Sequence, residues 1–126
     1  TSAGVPKSFV DETVVVPLFN EEAVKQAFAQ FKGQIAAIII EPVPANNGLL
    51  LQTRRFLQFL RTICDQEGAL LIFDEVISGF RVGFEGAAGL YRIAPDILTF
   101  GKIIGGGLPV GAYGASAKIM GTVSPE

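Results

Sequence analysis

The chain has 126 residues, 49% of them hydrophobic and 17% charged, a composition typical of one globular domain and not of a disordered segment. Its formal net charge of −2 argues against nucleic acid or an anionic membrane surface as the main partner. With no histidine and one cysteine, the sequence excludes His-dependent nucleophile pairs, a disulfide framework, and His or Cys metal sites, so no metal is expected.

The amino-terminal part of the sequence predicts a strand, a helix and a second strand. Residues 13–17 form a β-branched run, Thr-Val-Val-Val-Pro, which favours an extended strand. Asn20 can cap a helix with an acidic first turn, and apolar residues at helical spacing form one stripe on it: Val24, Ala27, Phe28 and Phe31. Residues 36–40 are apolar on both faces and predict a central parallel strand.

The rest of the sequence predicts a second helix and three further strands. Thr53 can cap this helix and Gly68 can end it, with an apolar face made of Phe56, Leu60, Ile63 and an inert, buried Cys64. Residues 69–73 and 97–100 predict buried strands, and residues 110–113 predict one more after a glycine-rich connection. This alternation of strands and helices predicts an α/β layered sheet with right-handed crossovers.

Nothing in the sequence indicates a membrane segment. The longest apolar runs, such as residues 35–40, are far shorter than the roughly 20 residues of a membrane-spanning helix. The first residues lack the basic start and apolar stretch of a signal peptide. We therefore expect a cytoplasmic protein.

Polar residues directly follow three of the predicted strands. Glu41 comes after residues 36–40, Asp74 after the next buried run, and Lys102 just after residues 97–100. In open α/β sheets, ligands bind outside the carboxyl ends of the strands. A single carboxylate at a strand end is more often a helix cap, but two carboxylates and a lysine at adjacent ends favour a shared crevice.

The glycines around Lys102 exclude the common phosphate loops. In a Walker loop the lysine follows the glycines, whereas here Gly105, Gly106 and Gly107 follow the lysine. The third glycine of a dinucleotide-binding pattern is absent, because Val110 stands there, and no G-x-S-x-G elbow surrounds Ser78. A lysine facing a carboxylate does suit pyridoxal phosphate, whose aldehyde needs an amine and whose ring nitrogen needs an acidic partner.

Two long segments are similar to a known family signature. Residues 71–81 read Leu-Ile-Phe-Asp-Glu-Val-Ile-Ser-Gly-Phe-Arg, and residues 95–114 run from Pro-Asp-Ile-Leu-Thr-Phe-Gly-Lys to Val-Gly-Ala-Tyr-Gly. Together they resemble the signature of class-III aminotransferases, and the resemblance extends from about Val14 to the last residue. It implies a three-layer, fold-type-I α/β large domain with a mostly parallel sheet, and a homodimer in the cytoplasm or a plastid.

The resemblance also implies roles for individual residues. Asp74 is the partner of the ring nitrogen of pyridoxal phosphate, Lys102 is the catalytic Schiff-base lysine, and Val76 packs against one face of the ring. Glu75 is expected to support its neighbours without acting itself. Arg81 is expected to form a structural ion pair.

Asn46 indicates which branch of the family this is. Many ω-aminotransferases have a glutamate at its position in the segment 41–48, whereas members of the aminomutase branch tend to have a neutral side chain there. Asn46 is therefore included with Asp74, Val76 and Lys102 among the expected cofactor-binding residues. The implied reaction converts a small amino-aldehyde, glutamate-1-semialdehyde, to 5-aminolevulinate in tetrapyrrole synthesis, starting from the pyridoxamine phosphate form.

Two alternatives remain open at this point. One is an intermolecular ω-aminotransferase with the same Asp74 and Lys102. The other is an inactive piece of either enzyme, because the resemblance places the phosphate-binding loop and the small domain outside residues 1–126. The sequence is expected to be a partial large domain, since it ends as residues 115–120 begin a helix.

Overall fold

The computed structural model describes residues 3–123, which form a four-stranded sheet flanked by helices. In chain order the elements are α1 (Lys7–Val10), α2 (Glu21–Gln30), β1 (Ala37–Ile40), α3 (Arg54–Glu67), β2 (Leu70–Asp74), α4 (Gly86–Tyr91), β3 (Ile97–Phe100), a 3-10 helix (Lys102–Gly105), β4 (Ala112–Ala115) and α5 (Ala117–Met120). None of these helices is long and apolar enough to cross a membrane.

The sheet has the strand order β1-β2-β3-β4. Strands β1, β2 and β3 are parallel, and β4 runs antiparallel to β3. The register pairs Ile40 with Phe73 and Asp74 with Thr99. Because parallel strands end at the same edge, this pairing places the carboxyl ends of β1, β2 and β3 side by side. The predicted α/β class with a mostly parallel sheet is confirmed.

Helix α3 forms as its sequence predicts, and it provides much of the core. The Thr53 hydroxyl accepts a hydrogen bond from the Phe56 amide at 3.1 Å, and Gly68 ends the helix in the left-handed conformation with φ 70°. One face of the helix is buried against the sheet through Phe56, Leu57, Leu60, Ile63 and Cys64. Burial of apolar side chains on this scale stabilises by about 1.5–3 kcal/mol each.

Cys64 is a buried free cysteine, as expected. Burial raises the pKa of its thiol to about 11. A thiol with so high a pKa carries almost no thiolate at neutral pH and is therefore unreactive. Its role is packing between α3 and the sheet.

Helix α2 is shorter than its apolar pattern suggests. The Asn20 side chain caps it by accepting from the Ala23 amide at 2.9 Å. Val24 and Phe28 are buried, but Phe31 is already the residue that follows the last turn. The predicted cap is therefore confirmed, and the end of the helix lies three residues before Gly33.

The prediction of a strand at residues 13–17 was wrong. These residues belong to no strand, and Val15 is 76% exposed. A strand exists only where a neighbouring strand pairs with its backbone, and residues 3–123 provide none for this segment. In the described sheet β1 is an edge strand and Ile39 is 64% exposed, so its predicted central position stays a prediction for the full-length protein.

The glycine-rich part of the chain contains structure that the sequence did not predict. Helix α4 and the 3-10 helix both begin at or beside glycine-rich turns, where apolar periodicity is too short to be seen. Strand β4 covers Ala112–Ala115 instead of residues 110–113. The Ser116 side chain caps α5 by accepting from the Ile119 amide at 3.4 Å, so the predicted helix begins at Ala117.

Candidate active site

Three parallel strands end at one edge of the sheet, and a polar residue lies at or just after each end. Asp74 is the last residue of β2, Lys102 comes two positions after β3, and Glu41 directly follows β1. The parallel pairings of β1 with β2 and of β2 with β3 bring these ends together. The three strand ends are therefore neighbours, and a shared crevice for their polar residues stays a prediction.

The two carboxylate oxygens of Asp74 differ in their surroundings. Oδ1 accepts hydrogen bonds from the Val76 amide at 3.0 Å and from the Thr99 hydroxyl at 3.4 Å. Within residues 3–123, Oδ2 has no hydrogen-bond partner. The carboxylate is thus held through one oxygen, and the other is available to an added donor.

Val76 connects the end of β2 to the end of β3. Its amide holds Asp74, and its side chain packs on Gly101, the residue before Lys102. A Cβ placed on Gly101 would lie 3.2 Å from Val76 Cγ1, closer than most real Cβ contacts. Glycine at 101 therefore allows the close approach that brings Asp74, Val76 and the start of the lysine turn together.

Lys102 has an unusual backbone conformation. It begins the 3-10 helix with φ 45°, in the left-handed region that disfavours an L-residue by about 1–2 kcal/mol. Its side chain is exposed and forms no ion pair in the part of the chain that the structure describes. Strained backbone is found most often at functional sites, where the surrounding contacts hold it in place.

Asn46 and Arg81 make no contact with Asp74, Val76 or Lys102 through hydrogen bonds or ion pairs among the described residues. Asn46 lies in an exposed turn after β1 and makes no hydrogen bond to Asp74, Val76 or Lys102 among the described residues. Arg81 is exposed and forms no ion pair within residues 3–123, so the expected structural ion pair stays a prediction.

Thr99 is a site residue that sequence reasoning missed. Its hydroxyl contacts Asp74, and the two residues are paired in the β2–β3 register. The available signal was a single polar residue within the apolar run Ile-Leu-Thr-Phe of β3. That signal becomes informative only when the register is known, because the register decides which residue of β2 Thr99 faces.

Neither of two sizeable cavities in the molecule contains the site residues. One of about 720 Å³ lies between residues 17–21 and the start of α3, and one of about 790 Å³ lies between residues 11–18, α2 and β1. Asp74 and Lys102 line neither of them. Residues 3–123 also contain no group of three or more acidic or cysteine side chains that could hold a metal ion. The candidate site is therefore identified by the polar residues at the strand ends and not by a cavity or a metal cluster.

The sequence profile of the class-III aminotransferases matches residues 6–126. Because the match covers nearly the whole sequence, the chain belongs to the class-III aminotransferase family. An omega-transaminase from Sphaerobacter thermophilus has the same fold, with a TM-score of 0.89 and 40% identity over 98% of this chain and 28% of its own. A transaminase solved with PLP bound has a TM-score of 0.89 and 37% identity over 98% of this chain and 29% of its own.

A curated relative is more similar in sequence. The glutamate-1-semialdehyde 2,1-aminomutase of Legionella pneumophila (strain Paris) is 52% identical over 126 residues, which is all of this chain. The chain spans 29% of the length of that relative. The family resemblance carried by residues 71–81 and 95–114 is thereby confirmed.

Proposed function

We propose that the full-length protein containing this chain is a pyridoxal-phosphate-dependent aminomutase that converts glutamate-1-semialdehyde to 5-aminolevulinate, a step of tetrapyrrole synthesis. A relative named for this activity, 52% identical over the whole chain, supports the substrate. One observation supports pyridoxal phosphate as the cofactor. The carboxylate of Asp74, with one oxygen unpaired among the described residues, and the exposed amine of Lys102 lie at the ends of neighbouring parallel strands.

The residues at this edge fit pyridoxal phosphate. When bound, the cofactor supplies an aldehyde that accepts amines and a ring that takes up the electrons left when a proton leaves the substrate. A carboxylate, an amine and an apolar contact are the groups it requires from the protein. Asp74, Lys102 and Val76 provide these three, and the contact between Val76 and Gly101 keeps them near one another.

Asp74 would hold a proton on the ring nitrogen of the cofactor. Its Oδ1 is occupied by the Val76 amide and the Thr99 hydroxyl, so Oδ2 is the oxygen assigned to the ring. The attraction between a carboxylate and a protonated ring nitrogen grows as water is removed from around them. Val76 would restrict water on one side of the ring by packing against it.

Lys102 would hold the aldehyde carbon of the cofactor through Nζ. When it is free, Nζ would carry a proton between the substrate carbon and carbon C4′ of the cofactor, as a general base and then a general acid. A proton carrier must reach two atoms in turn, and a side chain on an exposed turn outside the strand has the freedom to do so. Asn46 stands on the loop after β1 and is assigned to the cofactor side of the site.

An intermolecular class-III ω-aminotransferase is the second candidate. The fold similarity to the omega-transaminase of Sphaerobacter thermophilus favours it, and the same Asp74 and Lys102 serve that chemistry. The two candidates differ in the source of the amino group. An aminomutase moves it within one substrate, whereas an aminotransferase takes it from a separate donor and gives it to a keto acceptor.

The assembly is part of the proposal. We place residues 1–126 in the cofactor-binding large domain of a cytoplasmic homodimer, with the phosphate-binding loop and the small domain outside this sequence. The isolated chain is then inactive, because it lacks the groups that hold the cofactor phosphate.

Labelling tests the cofactor assignment. Borohydride reduction of the full-length protein with pyridoxal phosphate should attach the cofactor to the peptide that contains Lys102. Lys102→Ala should abolish the label while the protein remains folded. Recovery of the label on Lys32 or Lys118 would overturn the assignment.

Turnover tests the substrate assignment. The protein, loaded with pyridoxamine phosphate, should form 5-aminolevulinate from glutamate-1-semialdehyde without any other amino donor or keto acid. Turnover that requires both an added donor and an added acceptor would establish the ω-aminotransferase instead.

A further inference from the structure

Glu75 is a charged side chain that is only 1% exposed. Its Oε2 accepts hydrogen bonds from the Ser78 hydroxyl at 3.0 Å and the Ala87 amide at 2.6 Å, and its Oε1 accepts from the Ala88 amide at 2.8 Å. All three donors belong to the connection between β2 and β3. A buried carboxylate is tolerated only when hydrogen bonds replace its hydration, and these contacts do so.

Both oxygens of Glu75 must act as acceptors. Each faces a backbone amide, and an amide can only donate. An uncharged amide side chain of the same shape would turn its own NH2 group toward one of these amides. The site also leaves no room for a larger residue at Gly86, where a Cβ would overlap Glu75 Oε2. The contact is therefore specific for a carboxylate against this backbone.

The main chain of Glu75 holds the end of β2 at the same time. Its amide donates to the Thr99 carbonyl at 3.0 Å, and its carbonyl accepts from the Gly79 amide at 2.8 Å. Pairing with β3 is thereby extended one residue beyond Asp74. Glu75 thus fixes the strand end through its backbone and the following connection through its side chain.

Asp74 and Val76 are the chain neighbours of this fixed residue. Successive side chains of an extended strand lie on opposite faces, so Asp74 is available to a ligand while Glu75 is buried. We propose that Glu75 is a positioning residue: its carboxylate anchors residues 78–88 to the end of β2, and this anchor sets the orientation of Asp74 and Val76 toward the cofactor. The inference rests on the proposed function.

The test uses the full-length protein with Glu75→Gln, and with Glu67→Gln as a control at an exposed glutamate. In the protein without cofactor, hydrogen exchange at either the Ala87 or the Ala88 amide should become at least about tenfold faster in Glu75→Gln, because one of the two amides loses its acceptor. Exchange within β2 should stay as in the wild type. Unchanged protection of Ala87 and Ala88 would show that Glu75 is not the anchor.

The second measurement separates positioning from simple structural support. Titration by the visible absorbance of bound pyridoxal phosphate should give a dissociation constant raised about tenfold in Glu75→Gln. Displacement of Asp74 from the ring should lower kcat about 100-fold with little change in KM. Faster exchange with wild-type affinity and kcat would overturn the positioning role and leave Glu75 as a stability residue only.

A milder variant covers the case in which Glu75→Gln does not fold. Ser78→Ala removes one of the three donors and should raise the dissociation constant about threefold. An affinity equal to that of the wild type would count against the inference. If the wild-type protein itself binds no cofactor, the proposed function fails, and the exchange measurement still decides whether Glu75 anchors the connection.

Discussion

The charged residues at the two ends of the parallel strands differ in whether they have charged partners. The amino-terminal ends form one edge of the sheet and the carboxyl-terminal ends form the other. At the amino-terminal edge, Asp96 Oδ2 accepts from the Leu71 amide and from Arg61 Nη1, both at 2.7 Å. Arg61 Nη2 also contacts Asp65 Oδ1 at 2.7 Å, and its side chain is only 14% exposed. At the carboxyl-terminal edge, Asp74 is held by one oxygen, and Lys102 forms no ion pair among the described residues.

The difference indicates which edge stabilises the fold and which edge is available for chemistry. Burial of Asp96 raises the pKa of its carboxyl, but hydrogen bonds from the Leu71 amide and Arg61 outweigh this effect and lower that pKa. Asp96 is therefore paired with a cation in the folded protein. Asp74 and Lys102 form no ion pair among the described residues, and the backbone of Lys102 is strained, so both side chains are available to a ligand.

The largest expected effect is a loss of activity when the carboxyl-terminal edge is altered. Asp74→Asn in the full-length protein should lower kcat about a thousandfold, which corresponds to about 4 kcal/mol of transition-state stabilisation. The amide keeps the shape of the side chain but cannot hold a proton on the ring nitrogen. Steady-state kinetics measure this loss, while the unfolding temperature of the cofactor-free protein should stay near that of the wild type. Wild-type turnover would mean that this edge is only structural.

The second effect is a loss of stability when the amino-terminal edge is altered. Asp96→Asn should reduce the free energy of unfolding by about 2 kcal/mol, less than the roughly 3–5 kcal/mol of a fully buried pair because the Asp96 side chain is 30% exposed. Denaturant titration measures this change. The control is Asp65→Asn, whose side chain is 63% exposed and should change stability by less than about 1 kcal/mol. Equal losses in both variants would contradict the comparison.

The stability contributed by Asp96 should depend on pH. Its folded-state pKa is lowered, so its contribution is fully present above the ordinary aspartate pKa of about 3.9 and is lost as pH falls through the folded-state value. The stability difference between the wild type and Asp96→Asn should therefore shrink as the solution is made acidic below about pH 4. A difference that stays constant over this range would show that the carboxylate charge does not matter.

The smallest effect concerns strain at Lys102. Lys102→Gly and Lys102→Ala both remove the amine and should both be inactive. Glycine adopts the φ of 45° without strain, so Lys102→Gly should be more stable than Lys102→Ala by about 1 kcal/mol in the cofactor-free protein. Thermal unfolding of the two variants measures the difference. Equal stability would indicate that the turn relaxes and that this edge carries no strain.

Local signals in the sequence determined several parts of this protein. Thr53 and Gly68 mark the ends of α3 because a cap and a left-handed glycine act on their immediate neighbours. The apolar run 97–100 predicts β3 with the bounds that the structure shows. The family was recognisable from residues 71–81 and 95–114, because a signature of this length preserves the order of chemically required residues.

Only the tertiary structure decided features that depend on distant partners. Residues 13–17 have strand-type side chains but remain outside the sheet, because strand formation requires a paired backbone. The contact of Thr99 with Asp74 follows from the β2–β3 register, and the anchor at Glu75 follows from the position of α4. The Thr99 and Glu75 contacts each join residues more than ten positions apart. A local sequence pattern carries no information about contacts over such a separation.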